Sequence, residues 1–235
     1  MPVPAGSSRQ DRRKAHTRAR ILDAAEEFFA SADPASATIA RIAEQADVAV
    51  ATVYQHFAGK DDLHLAVVER ALAQNEQHML TVYSADLAAV PKLIDALGAY
   101  LRFYRETPQL FRLVALRQGH VTDESSAGPV AVILAERVDR MTAALAGVIE
   151  QGVAEGVLRG LAPLDTARFL WGALNGVIGL ALRPDQLRLG DDELGSAIAQ
   201  GAEILFGGMV TAAACGPDGR LLPEHQARLR AALQP

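Results

Sequence analysis

Apolar residues recur at intervals of three and four along most of this chain, and no run of alternating apolar and polar residues is long enough to predict a sheet. The spacing is clear from Thr17 to Ala30, and it continues beyond Leu63 almost to the carboxyl end. At 235 residues, the chain can bury a core of ordinary size without disulfides or bound metal. We therefore predict an all-α chain with about nine helices. The helices predicted after Leu63 span 61–83, 90–106, 108–119, 129–156, 164–182 and 191–214, with room for a short one after Pro223.

Cysteine content and hydropathy exclude several classes of protein. Cys215 is the only cysteine, so it forms neither an intramolecular disulfide nor a multi-cysteine metal site, and a reducing cytoplasm is the expected compartment. Residues 1–16 carry charge without an apolar run and do not predict a signal peptide. The longest nearly continuous apolar stretch, 169–182, has 14 residues. A membrane span needs roughly 20. We expect a soluble, cytoplasmic protein with no membrane partner.

The polar residues predict neither a metal site nor a catalytic centre. The six histidines show no metal-ligand spacing, no serine or cysteine lies in a nucleophile motif, and no glycine-rich phosphate loop follows a strand. Asp61 and His64 are three residues apart, but no second such pair completes a di-metal site. We predict no metal, no cofactor and no enzymatic activity. A helical enzyme with a scattered site remains an alternative.

Positive charge is concentrated near the amino terminus. Residues 1–22 contain six lysines and arginines against one acidic residue, although the whole chain has a net charge of −5. An acidic body with a basic arm can bring only that end close to a polyanion such as DNA. A solvated tail without function is the alternative interpretation of these charges.

A helix-turn-helix is predicted at residues 38–56. A proline-containing stretch ends the preceding helix, and Thr38 is a good N-cap for the next one. The helical spacing breaks at Asp47 and resumes in a second short helix at 49–56. To read DNA, that second helix must present an exposed face to a major groove about 12 Å wide. The side chains predicted to point inward are Val48, Val53 and Phe57.

Residues 38–63, TIARIAEQADVAVATVYQHFAGKDDL, resemble the DNA-binding domain of the tetracycline-repressor (TetR) family of bacterial regulators. The resemblance extends over about residues 14–64 and implies that a helical ligand-binding and dimerisation domain follows. The expected domains are a disordered basic arm at 1–13, a helix-turn-helix DNA-binding domain at 14–60, a helical ligand-binding and dimerisation domain at 61–216, and a carboxyl-terminal tail at 217–235.

Two residues depart from the family pattern. The family usually has glycine where this chain has Asp47, and serine where it has Ala49. Aspartate tolerates left-handed turn geometry better than most residues. Ala49 cannot cap the second helix, which costs about 1 kcal/mol unless Asp47 supplies the acceptor. The fold is expected to survive both changes. The rotation of the second helix about its axis, which decides which of its side chains face outward, depends on them.

The resemblance and the side-chain chemistry suggest DNA contacts. Tyr54 matches a family tyrosine that contacts phosphate, with core packing as the alternative. Lys60 suits a phosphate at a helix start, unless it is simply solvated. Thr52 could contact phosphate or a thymine methyl group, and Gln55 could read adenine or be merely exposed. His56 could contact a base or be buried between helices. Residues expected to hold the backbone or a minor groove are Arg12, Arg13, Lys14, Thr38 and Arg41, and the candidates on the second helix and after it are Val50, Ala51, Thr52, Tyr54, Gln55, His56 and Lys60.

Glycines at spacings of four and three give the helix predicted at 164–182 a flat strip that another helix can approach closely. We expect this helix and the next to form a four-helix interface between two subunits, with close packing inside one subunit as the alternative. The candidate interface residues are Leu170, Gly172, Leu174, Gly176, Val177, Gly179, Leu205, Phe206 and Met209.

Aromatic side chains are sparse, but several occur in helices expected to line a central cavity. A mostly apolar cavity with a few polar groups suits a small hydrophobic or amphipathic ligand, although ordinary core packing would explain the same aromatics. Trp171 and Asn175, one helical turn apart, are the strongest pair of candidate ligand contacts. The candidate ligand-binding residues are Tyr100, Phe103, Tyr104, Phe111, Gln118, Trp171 and Asn175.

We therefore predict a ligand-responsive transcriptional regulator, a repressor, that binds a palindromic operator on double-stranded DNA as a homodimer and is released by a small-molecule effector. One short helix reads only a few base pairs, so two copies about 34 Å apart are needed. A DNA-binding architectural protein without a ligand is the main alternative.

Overall fold

The computed structural model describes residues 9–30, 37–106, 108, 111, 129–183 and 185–234. These residues form two compact units, Met1–Ala71 and Leu72–Pro235. The predicted helix at 108–119 lies largely outside the described residues, as does Gln118.

The first unit is built from one long and two short helices, with the start of a fourth, around a small apolar core. It contains α1 (Arg9–Ala30), α2 (Ile39–Gln45), α3 (Val50–His56) and the start of α4 (Lys60–Tyr83). The apolar stripe expected on α1 is buried, with Ile21 fully buried among the side chains of this core. The helix begins at Arg9, so residues 9–13 of the expected disordered arm are helical. Most of these residues are good helix formers, and a helix there needs no apolar stripe.

The second unit contains the other helices whose bounds the structure describes. These are the rest of α4, α5 (Ala89–Glu106), α6 (Pro129–Ala154), α7 (Pro163–Ala181), α8 (Asp191–Met209), a single 3₁₀ turn (Ala212–Ala214) and α9 (Pro223–Leu233). Buried residues of α5, α6 and α8 form much of its core, including Ile94 and Ile149. Over the described ranges there are isolated β-bridges but no named strand. The all-α prediction is therefore confirmed.

The carboxyl-terminal helix, α9, packs closely on α5. A Cβ atom added at Gly98 would lie 3.0 Å from the Cβ of Ala232, so glycine permits this approach. The guanidinium of Arg228 donates two hydrogen bonds to the carboxylate of Asp95, at 2.6 and 2.5 Å. The short helix allowed for after Pro223 is thus an integral part of the second unit.

One predicted helix ends earlier than expected. The spacing predicts a helix over 191–214, but α8 ends at Met209 and Val210 is extended. The backbone there pairs with the loop after α6: Thr211 N–H donates to Val157 O at 3.0 Å, and Arg159 N–H donates to Met209 O at 2.9 Å. These tertiary hydrogen bonds compete with continuation of the helix, and local spacing cannot reveal them.

Candidate DNA-binding surface and ligand cavity

Arg20 of α1 holds the turn between α2 and α3. Its guanidinium donates to the carbonyl oxygens of Ala46 at 2.5 Å and Asp47 at 3.0 Å, and to the Asp47 carboxylate at 3.1 Å. Asp47 has a φ of 51°, so the left-handed geometry expected there is present. Its carboxylate pairs with Arg20 and does not cap α3, whose N-cap residue, Ala49, has no side-chain hydrogen bond.

The helix α3 is buried on one side and exposed on the other. Val53 and Phe57 are buried, as expected, and Val48 is half-buried. Tyr54 is 55% exposed and Val50 is 41% exposed, which are high values for large apolar or aromatic side chains. The remaining outward candidates are Ala51 and Gln55, which are exposed, and Thr52 and His56, which are half-buried. Within its own unit, Tyr54 is therefore a surface residue.

Basic groups of α1 lie beside the end of α3. Burial, and then the charges of Lys14 and Arg18, lower the pKa of His56 from its ordinary value. The imidazole is therefore neutral at physiological pH and has one donor and one acceptor nitrogen. The guanidinium of Arg18 also lies 5.1 Å from the centre of the Phe57 ring. Arg12, Arg13 and Lys14 are exposed residues of α1.

The start of α2 and the start of α4 carry the other DNA-binding candidates. Thr38 is the N-cap of α2, where its hydroxyl oxygen accepts a hydrogen bond from the Arg41 N–H at 3.3 Å. The Arg41 guanidinium lies 4.9 Å from the centre of the Phe28 ring. Lys60 is exposed at the first residue of α4. Asp62, also in that first turn, accepts a hydrogen bond from Ala58 N–H at 2.8 Å, so this helix start has an acidic neighbour.

A cavity of about 190 Å³ lies in the second unit, with walls from α4, α5, α6, α7 and α8. Two of the predicted ligand-binding residues, Tyr100 and Trp171, line it. Phe103, Tyr104 and Phe111 are not in its lining, and the rings of Phe103 and Tyr104 each lie near the Phe111 ring instead. Lining residues that the sequence analysis did not single out include Met79, Leu93, Met141, Thr142 and Leu145. Most of them occupy apolar helix positions that look the same in sequence whether they face a cavity or a core.

Two polar side chains of the predicted ligand site are bonded to each other, and one of them also binds the main chain of Trp171. The Tyr100 hydroxyl donates to Asn175 Oδ1 at 3.0 Å, and Asn175 Nδ2 donates to the Trp171 carbonyl oxygen at 2.8 Å. Burial raises the pKa of Tyr100 to about 12, so its hydroxyl stays neutral. Asn175 is bonded to the lining residue Tyr100 but is not itself part of the cavity lining.

The residues predicted for the dimer interface separate into two groups. Leucines, valine, phenylalanine and methionine of the set line the cavity, whereas the glycines do not. Cβ atoms added at Gly172, Gly176 and Gly179 would meet nothing within 4 Å, so none of the residues that the structure describes packs closely on this strip. The members that line the cavity are Leu170, Leu174, Val177, Leu205, Phe206 and Met209.

Two large apolar side chains that the sequence analysis missed lie at helical spacing from a glycine of the same helix. Phe169 on α7 is 62% exposed and Ile204 on α8 is 64% exposed. Phe169 precedes Gly172 by three residues, and Ile204 precedes Gly208 by four. The spacing of three and four to a glycine is the signal that could have identified them.

Within the described ranges, no group of three or more histidine, cysteine, aspartate or glutamate side chains could hold a metal ion. The search of the same ranges found no helix that is long and apolar enough to cross a membrane.

Comparisons with known proteins match both parts of the chain. Residues 21–67 match the bacterial regulatory proteins of the tetR family, and residues 93–203 match the tetracyclin repressor-like carboxyl-terminal domain. An uncharacterized HTH-type transcriptional regulator of Mycobacterium tuberculosis is 32% identical over 91 residues, which are 39% of this chain and 45% of that protein. The chain thus matches this curated relative over less than half of its length.

Solved structures share the fold. A putative transcriptional regulator from Saccharomonospora viridis in complex with choline has a TM-score of 0.69 and 18% identity, covering 84% of this chain and 99% of that one. The transcriptional regulator FadR from Bacillus subtilis in complex with stearoyl-CoA has a TM-score of 0.65 and 20% identity, covering 81% and 98%. With family matches to both its helix-turn-helix and its helical carboxyl-terminal part, this chain belongs to the tetR family of bacterial transcriptional regulators.

Proposed function

We propose that this protein is a homodimeric, ligand-responsive repressor that binds a palindromic operator and leaves it when a small hydrophobic or amphipathic effector binds. The observation that carries the proposal is the exposed face of α3, on which Tyr54 is 55% exposed while Val53 on the opposite side is fully buried. Such a face is what entry into a major groove requires. The cavity in the second unit supplies a separate place for an effector.

The DNA contacts proposed are those of the exposed α3 face, with the basic groups around it. Tyr54 and Lys60 would bind phosphates, and Gln55 would read a base edge. Arg12, Arg13 and Lys14 on α1, with Thr38 and Arg41 on α2, would hold the backbone. Phosphate contacts of this kind make affinity fall steeply with salt, because binding releases condensed counterions.

A second copy of the chain is the proposed occupant of the α7 and α8 surface. Phe169 and Ile204 are exposed there, and the open glycines Gly172 and Gly176 provide shallow positions that such side chains can fill. A two-fold axis would set each protruding side chain against the partner's strip. We therefore propose the glycines together with Phe169 and Ile204 as interface residues. The other residues first predicted for the interface line the cavity, and we propose them as cavity residues.

The effector would act by favouring one arrangement of the two α3 helices over another. A ligand can do this only as far as it binds one arrangement more tightly. The helix α4 supports such coupling, because Lys60 is its first residue and Met79 and Tyr83 near its end line the cavity. The two ligands in the related structures, choline and stearoyl-CoA, differ greatly in size. The chemical class of the effector must therefore be inferred from the residues that line this cavity.

Selection of bound sequences from a random DNA pool by the purified full chain tests the proposal. We expect enrichment of an inverted repeat, and selected DNA should lose affinity as salt rises. Tyr54→Ala should weaken binding about tenfold, the loss of a charge-assisted hydrogen bond, with folding unchanged. Gln74→Ala, an exposed change on α4 in the second unit, is the matched control. No enrichment, or a flat salt dependence, would contradict DNA binding by this surface.

A further inference from the structure

The described wall of the cavity contains no charged side chain. Its members are apolar except for a few hydroxyl groups and the Trp171 indole, and no lysine, arginine, aspartate, glutamate or histidine is among those described. An ion buried there would leave water without gaining an opposite charge, which is strongly unfavourable. A ligand that fills this space must therefore be neutral where it contacts these walls.

Two hydroxyl donors of this wall are already engaged. The Tyr100 hydroxyl donates to Asn175 at 3.0 Å, and the Thr142 hydroxyl donates to the Val138 carbonyl oxygen at 2.8 Å. The protons of Tyr100 and Thr142 are therefore not available to a ligand unless an internal hydrogen bond breaks.

Tyr83, near the end of α4, is different. It lines the cavity, and its hydroxyl has no hydrogen-bond partner among the residues that the structure describes. Burial, and then the neighbouring Tyr100, raise the pKa of Tyr83, so the hydroxyl keeps its proton at physiological pH. A hydroxyl that has no partner in the protein can donate its proton to a ligand oxygen.

We propose that the cavity binds an uncharged, largely hydrocarbon ligand whose hydrogen-bond-accepting oxygen, as in a ketone or ester, is held by the Tyr83 hydroxyl. The inference rests on the proposed function, because it names the effector class for the same cavity. The volume of about 190 Å³ sets the size of the buried part. An apolar protein cavity of about 150 Å³ accommodates benzene, so the buried part should be slightly larger than one six-membered ring.

Four compounds of nearly equal shape test the ligand class on the purified full chain. They are cyclohexyl methyl ketone, isopropylcyclohexane, cyclohexanecarboxylate and 1-cyclohexylethylamine at neutral pH, where the last two are charged. Trp171 is the only tryptophan and lines the cavity, so its emission reports occupancy. Titration calorimetry supplies the dissociation constants.

The ketone should bind about three- to tenfold more tightly than the hydrocarbon, the effect of one net hydrogen bond. Both charged compounds should bind at least about 100-fold more weakly than the ketone. Tyr83→Phe should abolish the preference for the ketone and leave the affinity for isopropylcyclohexane unchanged. Thr81→Val, which removes an exposed hydroxyl of the same helix outside the cavity lining, should change neither.

Equal or tighter binding of the acid or the amine would overturn the proposal, as would a ketone preference that survives Tyr83→Phe, or no binding of any of the four. If Tyr83→Phe fails to fold, the unaltered chain still tests the proposal, because equal affinities for the ketone and the hydrocarbon would contradict it. Failure of the regulator assignment would be seen separately, as the absence of an inverted repeat in the DNA selection, which involves none of these compounds.

Discussion

Replacing Gly176 with alanine should stabilise the folded subunit and weaken the proposed dimer. In a helix interior, glycine is about 1 kcal/mol less favourable than alanine. A Cβ atom at this position would meet nothing within 4 Å, so the subunit should gain most of that difference. In the dimer, the added methyl group would press on the partner helix, and overpacking of this kind costs about 1 to 3 kcal/mol. Two-fold symmetry applies the cost twice, so the dimer dissociation constant should rise about 30-fold or more.

Sedimentation equilibrium measures the dissociation constant, and urea unfolding at low protein concentration measures subunit stability. Gly147→Ala on α6 is the matched control, because Gly147 is also an exposed helical glycine with nothing within 4 Å of an added Cβ. That variant should gain similar stability and leave dimerisation unchanged. If Gly176→Ala and Gly147→Ala have the same effect on the dissociation constant, the glycine strip is not the contact between subunits.

Three further predictions concern other parts of the molecule. Arg140 and Arg137 lower the pKa of Glu76 from its ordinary value of 4.5, so the contribution of Glu76 to stability is complete above about pH 4.5 and is lost as pH falls through the lowered pKa. Glu76→Gln should lower the free energy of unfolding by about 1 to 3 kcal/mol at pH 7, as measured by urea unfolding. The same variant should also lose less stability than the unaltered chain when the pH is lowered. Lys60→Gln should weaken binding to DNA by a similar factor for every sequence. In mobility-shift titrations it should reduce the slope of log affinity against log salt concentration by about two per dimer. Asp47→Gly should leave stability nearly unchanged, whereas Asp47→Ala should lower it.

Most helix positions could be predicted because their signals are local. The prolines at 129 and 163 begin α6 and α7, as expected from the tolerance of the first helical turn for proline. The end of α8 was not predictable in the same way, because the backbone near Val210 is bonded to the segment after α6, which is distant in sequence. The early start of α1 was missed for a different reason: residues 9–16 have helix-forming side chains but no apolar stripe.

The two candidate sites differed in how far sequence could define them. The exposed face of α3 was predictable, because a short helix with Val53 buried leaves Tyr54 and Gln55 on the other side. On α7, sequence placed Leu170 and Gly172 on one surface, but the structure puts Leu170 in the cavity wall and Gly172 in open space. A helix that is apolar on nearly every side can face a cavity on one side and open space on another, and its periodicity does not say which side is which.

The two substitutions at Asp47 isolate the strain in the turn on which the orientation of α3 depends. Both remove a carboxylate that is almost fully exposed, so the ion pair with Arg20 contributes at most about 1 kcal/mol and is lost equally. Both keep the main-chain carbonyls that Arg20 binds. They differ in that glycine adopts the φ of 51° freely, whereas alanine there costs about 1 to 2 kcal/mol. Equal urea midpoints for the two variants would mean that the turn needs no left-handed residue, and the phase of α3 that exposes Tyr54 would lose its structural basis.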